Sequence, residues 1–268
     1  MTTQIVNTNI DNRGVATVTL NNPDKHNAFD DSIIAELTTA FNAVANNDAV
    51  RVMVLASNGK NFSAGADLNW MKRMASYSFD ENLADARALA KMLKVLNFMP
   101  KPTIARVQGA VFGGAVGLVS CCDMAVATTR ASFCLSEVKI GLLPATISPY
   151  MVAAIGARAS RRYFMTAERF SAETAANLGL VTELVEETAL DQQVNTLIDS
   201  LLTNSPAAVK ASKQIIFDVA EREINDELIE STCENIARIR VSEEGQEGLS
   251  AFLEKRPAAW LAADDNKR

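Results

Sequence analysis

The segment QGAVFGGAVGLVSCCD, residues 108–123, carries the glycine pair around which strand and helix are arranged. The apolar run before it, Pro102 to Val107, is typical of a buried strand. Gly113 and Gly114 then open a short apolar helix that ends near Asp123. Because a helix N-terminus exposes unpaired N–H groups and a partial positive charge, this junction could hold a negatively charged oxygen.

A second segment, FSAGADL at residues 62–68, repeats the arrangement after a predicted strand from Val52 to Ala56. Small residues let a ligand approach the backbone closely, so two such loops could aim their N–H groups at one oxygen and stabilise a developing oxyanion. Either loop alone is also consistent with an ordinary tight turn. A nucleotide-binding interpretation of residues 113–117 is weak, because the G-x-G-x-x-G spacing is missing.

The rest of the chain predicts an α/β fold followed by helices. Strands are predicted over Val15–Leu20, Met124–Ala127 and Ala131–Cys134, and helices over Asp31–Ala45 and Phe79–Asn97. This alternation is typical of helices packed on largely parallel strands. From about Ser148 the pattern is almost wholly helical, with Ser171 as an N-cap and Gly179 just past a helix end. Further helices are predicted over Thr188–Leu202, Pro206–Ala220 and Asn225–Val241, as a packing or oligomerisation layer.

Composition restricts the chemistry and the partners. The net charge of −6 argues against nucleic acid or an anionic membrane as a partner, and no apolar run is long enough to span a bilayer. His26 is the single histidine, which excludes a zinc site built on several imidazoles, and no G-x-S-x-G motif accompanies it. Acid–base chemistry therefore falls mainly to carboxylates. The four cysteines lack C-x-x-C spacing and no signal pattern is present, so we expect a cytoplasmic protein with reduced thiols.

Five motifs in order carry a resemblance to a known family. They are NPDKHNA (22–28), FSAGADL (62–68), the segment 108–123 with GGAVGL, SEVKIGLLP (136–144) and FLEKRP (252–257). Together they resemble the enoyl-CoA hydratase/isomerase (crotonase) family from about residue 5 to residue 260.

The resemblance implies a crotonase-like spiral of ββα units with a C-terminal helical trimerisation region. Residues 1–204 would form the core with the CoA and acyl site, and residues 205–268 an oligomerisation region. The partners implied are an acyl-CoA thioester and further copies of the chain, as a homotrimer or a dimer of trimers. No metal or redox cofactor is implied, since CoA belongs to the substrate.

The resemblance also implies roles for individual residues. The N–H groups of Ala64 and Gly114 would form the oxyanion hole, and Glu137 would be the acid–base residue. CoA would bind at Lys25, Ala28, Ala66, Asp67 and Leu68, partly through the backbone, whereas the His26 side chain would have no chemical role.

One position departs from the family pattern. Hydratases of the family commonly carry a second glutamate as G-G-x-x-E, where this chain has Gly117. The stretches ADLNWMKRM (66–74) and LLPATISP (142–149) nevertheless resemble a hydratase subgroup that acts on 3-methylglutaconyl-CoA or longer isoprenoid glutaconyl-CoAs. Gly117 would then make room for a branched acyl chain. Candidate cations for the distal carboxylate are Lys72, Arg73 and Arg87, although such residues are more often solvated helix charges. Candidate acyl-pocket residues are Trp70, Met71 and Met74, for which ordinary core packing is an equal alternative.

Three functions follow from these observations. The first is hydration of a 3-methylglutaconyl-CoA-like enoyl-CoA, as in leucine degradation, with Glu137 activating water. The second is Δ3,Δ2-enoyl-CoA isomerisation, in which Glu137 alone moves one proton. The third is non-catalytic acyl-CoA binding, against which the presence of Glu137 and both loops argues.

Overall fold

The computed structural model describes residues 4–261, so residues 1–3 of the predicted core region and 262–268 of the predicted oligomerisation region lie outside it. The strands are β1 (Val6–Ile10), β2 (Val15–Leu20), β3 (Val52–Ser57), β4 (Thr103–Val107), β5 (Ala110–Phe112), β6 (Met124–Thr128), β7 (Ser132–Cys134), β8 (Phe170–Ser171) and β9 (Glu183–Val185). The helices are α1 (Asp31–Ala45), α2 (Leu68–Met74), α3 (Phe79–Asn97), α4 (Gly114–Ser120), α5 (Ser148–Thr166), α6 (Ala172–Asn177), α7 (Leu190–Leu202), α8 (Pro206–Val219), α9 (Asp226–Val241) and α10 (Glu243–Glu254). Short 3₁₀ turns include Pro23–Lys25 and Glu137–Ile140.

The strands form two sheets. The larger sheet has the order β1-β2-β3-β4-β6-β9, in which β1 is antiparallel to β2 and the other neighbours are parallel. The smaller sheet has the order β5-β7-β8. This arrangement confirms the predicted α/β fold with largely parallel strands.

Strand β3 shows why the larger sheet is covered on both faces. All six residues of β3 are buried, although their side chains alternate between the two faces. Met53 and Leu55 belong to the main core, whereas Val52, Val54 and Ala56 pack with the apolar stripe of α7. Each fully buried aliphatic side chain stabilises the fold by about 1.5–3 kcal/mol, so a continuously apolar strand is what this position requires.

The structure confirms several predicted elements to the residue and adds short strands. Strand β2 and helices α1 and α3 have the predicted bounds. Ser171 caps α6 by accepting the N–H of Thr174 at 3.1 Å, as predicted. The region after Ser148 is almost wholly helical, as predicted, although it also contains the short strands β8 and β9. Strand β9 is only three residues long, too short to show a period, and it forms through its parallel ladder with β6.

The C-terminal helices are attached to the core through α8. Lys213 of α8 donates from Nζ to Asp123 Oδ2 at 2.8 Å and to the carbonyl of Lys101 at 3.2 Å. A groove of 520 Å³ with largely apolar walls lies between α8 and α9. The oligomerisation role of this region stays a prediction. Within residues 4–261, no helix combines the length and apolar character needed to cross a membrane.

Replacing Gly109 by Ala should strongly destabilise the protein. Gly109 has φ +62°, and an added methyl group would lie 2.0 Å from the carbonyl oxygen of Lys60. Because this oxygen belongs to the backbone, it can move away only if the chain itself shifts. Gly141 is the matched control, because its φ is +76° but nothing lies within 4 Å of the added methyl. We expect Gly141→Ala to lower the free energy of unfolding by about 1–2 kcal/mol and Gly109→Ala to lower it by clearly more. Urea denaturation of both variants measures the difference, and equal losses would contradict this account.

Candidate active site

The turn before α1 supplies acceptors for the first glycine loop. His26 and Asn27 have φ values of +51° and +54°, in the left-handed region that these residue types enter more readily than most. Their successive carbonyl oxygens accept the N–H of Ala64 at 2.9 Å and the hydroxyl of Ser63 at 2.7 Å. The Asn27 side chain, 1% exposed, holds the turn by donating to the carbonyls of Asn58 and Asn61.

Nearly every N–H group of the first loop has an acceptor. The N–H groups of Ser63, Ala64, Gly65 and Asp67 donate to Ala110 O, His26 O, Ser63 Oγ and Phe29 O, respectively. Among residues 4–261, no acceptor binds the N–H of Ala66. Its direction is nevertheless fixed, because the Gly65 carbonyl accepts the N–H of Phe29 at 2.9 Å and the two groups of a trans peptide point in opposite directions.

The second loop also leaves an N–H group unpaired. Gly113 has φ +54° and donates its N–H to the carbonyl of Cys134 at 2.9 Å. Gly114 is the first residue of α4, and its N–H has no acceptor in the described part of the chain. The positive end of the helix dipole reinforces this donor.

The two loops are in direct contact. Ser63 forms a parallel bridge with Val111, and the N–H of Phe112 donates to the carbonyl of Ser63 at 3.0 Å. A methyl group on Gly65 would lie 2.6 Å from the carbonyl oxygen of Phe112, so only glycine permits this approach. The unpaired N–H of Ala66 comes directly after Gly65 in the first loop, and the unpaired N–H of Gly114 comes two residues after Phe112 in the second. Both therefore lie next to the contact between the loops.

These bonds correct the expectation for Ala64. Its N–H already donates to the His26 carbonyl, so it cannot also serve a ligand without breaking that bond. Within residues 4–261 the N–H of Ala66 has no acceptor, and the sequence had suggested this residue only as a CoA contact. Both belong to the same motif, and the motif alone does not indicate which amide is unpaired.

Glu137 lies beside the second loop. A methyl group on Gly113 would lie 3.4 Å from Glu137 Oε1, whereas Oε2 is buried and has no hydrogen-bond partner within residues 4–261. Burial raises the pKa of this carboxyl group, against a smaller opposing effect from its own backbone N–H. The structure thus places the predicted acid–base residue next to the loop that carries the free N–H of Gly114.

Gly117 does not open space in the site. A methyl group at this position would lie 2.3 Å from Cγ2 of Ile147, a residue that is 2% exposed. Ile147 therefore fills the volume that a side chain at position 117 would enter. The expectation that Gly117 makes room for a branched acyl chain is wrong, because that room is already occupied.

The predicted CoA contacts lie together around the first loop. The parallel bridge between Phe29 and Ala66 brings Ala28 close to this loop. Asp67 caps α2 by accepting the N–H of Asn69 at 2.7 Å, and it pairs with Lys25 at 3.7 Å. Leu68 is 73% exposed on the same segment. Part of the role of Asp67 is thus structural.

The predicted carboxylate-binding cations are less well placed. Arg73 forms an ion pair with Asp31 of α1. Lys72 and Arg87 are exposed, and on its helix Arg87 lies on the side opposite the buried residues Met92 and Leu93.

The residues suggested for the acyl pocket lie largely in the core. Trp70 is 4% exposed and donates its indole N–H to Asp85 at 3.2 Å, and Met74 packs against the main core. Met71 is half-buried. Core packing therefore accounts for Trp70 and Met74.

Sequence reasoning missed three residues that shape the site: Asn27, Ser63 and Ile147. Asn27 and Ser63 lie inside two of the motifs, but neither motif shows that their polar groups face each other. Ile147 lies far from Gly117 along the chain, and only the missing side chain at Gly117 hinted that another residue had to fill the space.

Known proteins match this chain over nearly its whole length. A family model described as enoyl-CoA hydratase/isomerase matches residues 11–263. The crystal structure of an enoyl-CoA hydratase from Shewanella pealeana is similar, with a TM-score of 0.93 and 48% identity, covering 97% of each chain.

Two curated relatives differ in the reaction that their names give. The short-chain-enoyl-CoA hydratase of Clostridium acetobutylicum is 29% identical over 248 residues, covering 90% of this chain and 92% of the relative. The trans-2-decenoyl-[acyl-carrier-protein] isomerase of Streptococcus mutans is 30% identical over 253 residues, covering 92% and 94%. With its two contacting glycine loops, its α/β architecture and these matches, the chain belongs to the enoyl-CoA hydratase/isomerase family and has the crotonase-like fold.

Proposed function

We propose that the protein is an enoyl-CoA hydratase in which the N–H groups of Ala66 and Gly114 hold the thioester oxygen and Glu137 acts as the general base. The observation that carries this proposal is a pair of N–H groups on contacting loops, together with the half-buried Glu137 carboxyl group, whose Oε2 is buried; none of the three has a hydrogen-bond partner within residues 4–261. An acyl-CoA thioester presents the carbonyl oxygen and the reactive carbons that such an arrangement requires.

The residues suggest a simple sequence of steps. Glu137 takes a proton from water as the water oxygen attacks C3, and the electron pair of the C2=C3 bond moves toward the thioester carbonyl. The resulting enolate oxygen accepts hydrogen bonds from Ala66 and Gly114, each such donor being worth about 10²–10³ in rate. Collapse of the enolate takes a proton onto C2, from Glu137 or from a bound water, so one water has been added. The reaction uses the CoA thioester itself and no further cofactor.

For the acyl group we propose 3-methylglutaconyl-CoA or a related carboxylated, branched enoyl-CoA. The support is the resemblance of residues 66–74 and 142–149 to the subgroup that acts on such substrates. The distal carboxylate of the substrate would help to position water where a second glutamate is missing. Because Arg73 is paired with Asp31, we propose Arg169 as the cation that meets this carboxylate. Its guanidinium group lies 4.7 Å from the ring centroid of Phe112, which directly precedes Gly113.

Isomerisation of a 3-enoyl-CoA to a 2-enoyl-CoA is the second candidate. The observation that favours it is the packing of Ile147 against Gly117, which leaves Glu137 as the carboxylate beside the second loop. One carboxyl group is sufficient to move a proton between C4 and C2. The isomerase name of the Streptococcus mutans relative is consistent with this alternative.

A turnover panel separates these functions. We expect the enone absorbance of 3-methylglutaconyl-CoA to disappear with incorporation of one ¹⁸O from labelled water, faster than that of crotonyl-CoA. Conversion of a 3-enoyl-CoA without ¹⁸O uptake would instead identify the isomerase. Binding of all three thioesters without turnover of any would contradict both enzymatic proposals and support a binding protein.

Replacing Glu137 by Gln should lower kcat by at least about 10², with little change in the affinity for saturated acyl-CoA, because the base is removed and the amide donors remain. Burial raises the pKa of Glu137, and the deprotonated form is the base. The wild-type kcat/KM should therefore rise with pH through that raised pKa, and the residual rate of Glu137→Gln should lack this rise. Near-normal turnover of the variant would exclude Glu137 as the base.

Introducing the missing glutamate should fail unless space is made for it. We expect Gly117→Glu alone to lower the midpoint of thermal unfolding, because its Cβ would lie 2.3 Å from Ile147 Cγ2. The double variant Gly117→Glu/Ile147→Ala should recover part of that loss. It should also raise crotonyl-CoA hydration relative to Gly117→Glu. Ile147→Ala alone is the control, and a Gly117→Glu variant as stable as the wild type would refute the steric account.

A further inference from the structure

Ser63 connects three segments of the site through all its polar groups. It is fully buried, with 0% exposure. Its backbone pairs with the second loop, donating to Ala110 O at 3.1 Å and accepting from Phe112 N at 3.0 Å. Its hydroxyl donates to the carbonyl of Asn27 at 2.7 Å and accepts the N–H of Gly65 at 3.1 Å.

The hydroxyl acts at the residue that precedes Ala66. Gly65 has φ +88°, in the left-handed region, and its N–H would have no acceptor without Ser63 Oγ. Its carbonyl accepts from Phe29, and this bond sets the direction of the Ala66 N–H. Both peptide groups of Gly65 are therefore restrained, one by the Ser63 hydroxyl and the other by Phe29.

Removing the hydroxyl would leave two buried groups unpaired: the Asn27 carbonyl and the Gly65 N–H. Buried polar groups without partners are costly, so the backbone would rotate to find others. Glycine offers little resistance to such rotation. Rotation at Gly65 would also strain the bond between its carbonyl and the N–H of Phe29, and the Ala66 N–H would then change direction.

We propose that Ser63 is a positioning residue that aims the Ala66 N–H at the thioester oxygen. The inference rests on the proposed function of the Ala66 and Gly114 pair. Ser63 touches neither substrate nor reacting atoms. It acts through Gly65, and its backbone couples this orientation to the second loop.

The test uses ¹³C-carbonyl-labelled butanoyl-CoA, a saturated thioester with no double bond to hydrate or isomerise. In the wild type, hydrogen bonds from the two amides should shift the carbonyl stretch of the bound thioester to lower frequency in infrared difference spectra. Ser63→Ala should bind with a Kd within about threefold of the wild type yet lose a large part of that shift. Its kcat with an enoyl-CoA should fall by about 10- to 100-fold, as expected for a displaced rather than deleted donor.

Two further variants make the result specific. Ser160→Ala also removes a buried hydroxyl, one that donates to Gly156 O at 2.8 Å within α5, and it should keep the full shift and rate. Ser63→Cys keeps the size of the side chain with a weaker hydrogen-bonding group and should lie between Ser and Ala. It carries the test if Ser63→Ala does not fold.

The outcomes distinguish the role of Ser63 from the proposed function of the Ala66 and Gly114 amide pair. If Ser63→Ala binds butanoyl-CoA and keeps the full wild-type shift, the role of Ser63 is overturned but the proposed amide pair is not. The same holds for Ser63→Cys if Ser63→Ala does not fold. A wild-type complex that binds butanoyl-CoA without any shift would overturn the amide pair itself, and the role of Ser63 with it.

Discussion

The candidate site depends on one constraint: buried backbone N–H groups must be paired, and the first loop pairs those of Ser63, Ala64, Gly65 and Asp67 while that of Ala66 has no acceptor within residues 4–261. Phe29 makes this possible. Its N–H binds the carbonyl before Ala66 and its carbonyl binds the N–H after it, so the Ala66 peptide is held from both sides. A donor fixed in this way needs no reorganisation when charge develops on a bound oxygen, which is the condition for strong oxyanion stabilisation. His26 and Asn27, in the left-handed conformation, also help to hold the first loop, because their carbonyls accept hydrogen bonds from Ala64 and Ser63.

Close packing accounts for the absence of a second glutamate at position 117. In a close-packed interior a lost side chain must be replaced, and the methyl group of Ile147 occupies the volume beside Gly117. A glutamate at position 117 therefore also requires a smaller side chain at position 147. Ile147 puts an aliphatic group in place of a possible carboxylate, which leaves Glu137 without a charged neighbour from α4. Packing around Gly117 therefore decides whether a second carboxyl group can lie at this position.

The sequence predicted the long elements because burial gives them a period. Helices α1 and α3 and strand β2 show that period over many residues, and their bounds agree with the structure. The sequence also indicates the three-residue strand β7, but not β5 and β9 of the same length, which form through their ladders with β7 and β6 at distant places in the chain. For the site, the motifs indicated two loops that the structure brings into contact, but the choice between Ala64 and Ala66 depends on which N–H meets the His26 carbonyl. That contact joins residues 26 and 64, and spacing alone contains no information about it.

The electrostatics of Glu137 fit the proposed order of charge movement. Burial raises the pKa of this carboxyl group, so its neutral form is favoured relative to a solvated glutamate. In the proposed mechanism Glu137 becomes neutral as it takes a proton from water, while negative charge appears on the thioester oxygen. A base that stayed charged would repel this enolate across a short distance in a medium that screens poorly. In the proposed mechanism the negative charge therefore leaves the half-buried Glu137 carboxyl group as it develops on the thioester oxygen, where the N–H groups of Ala66 and Gly114 would stabilise it.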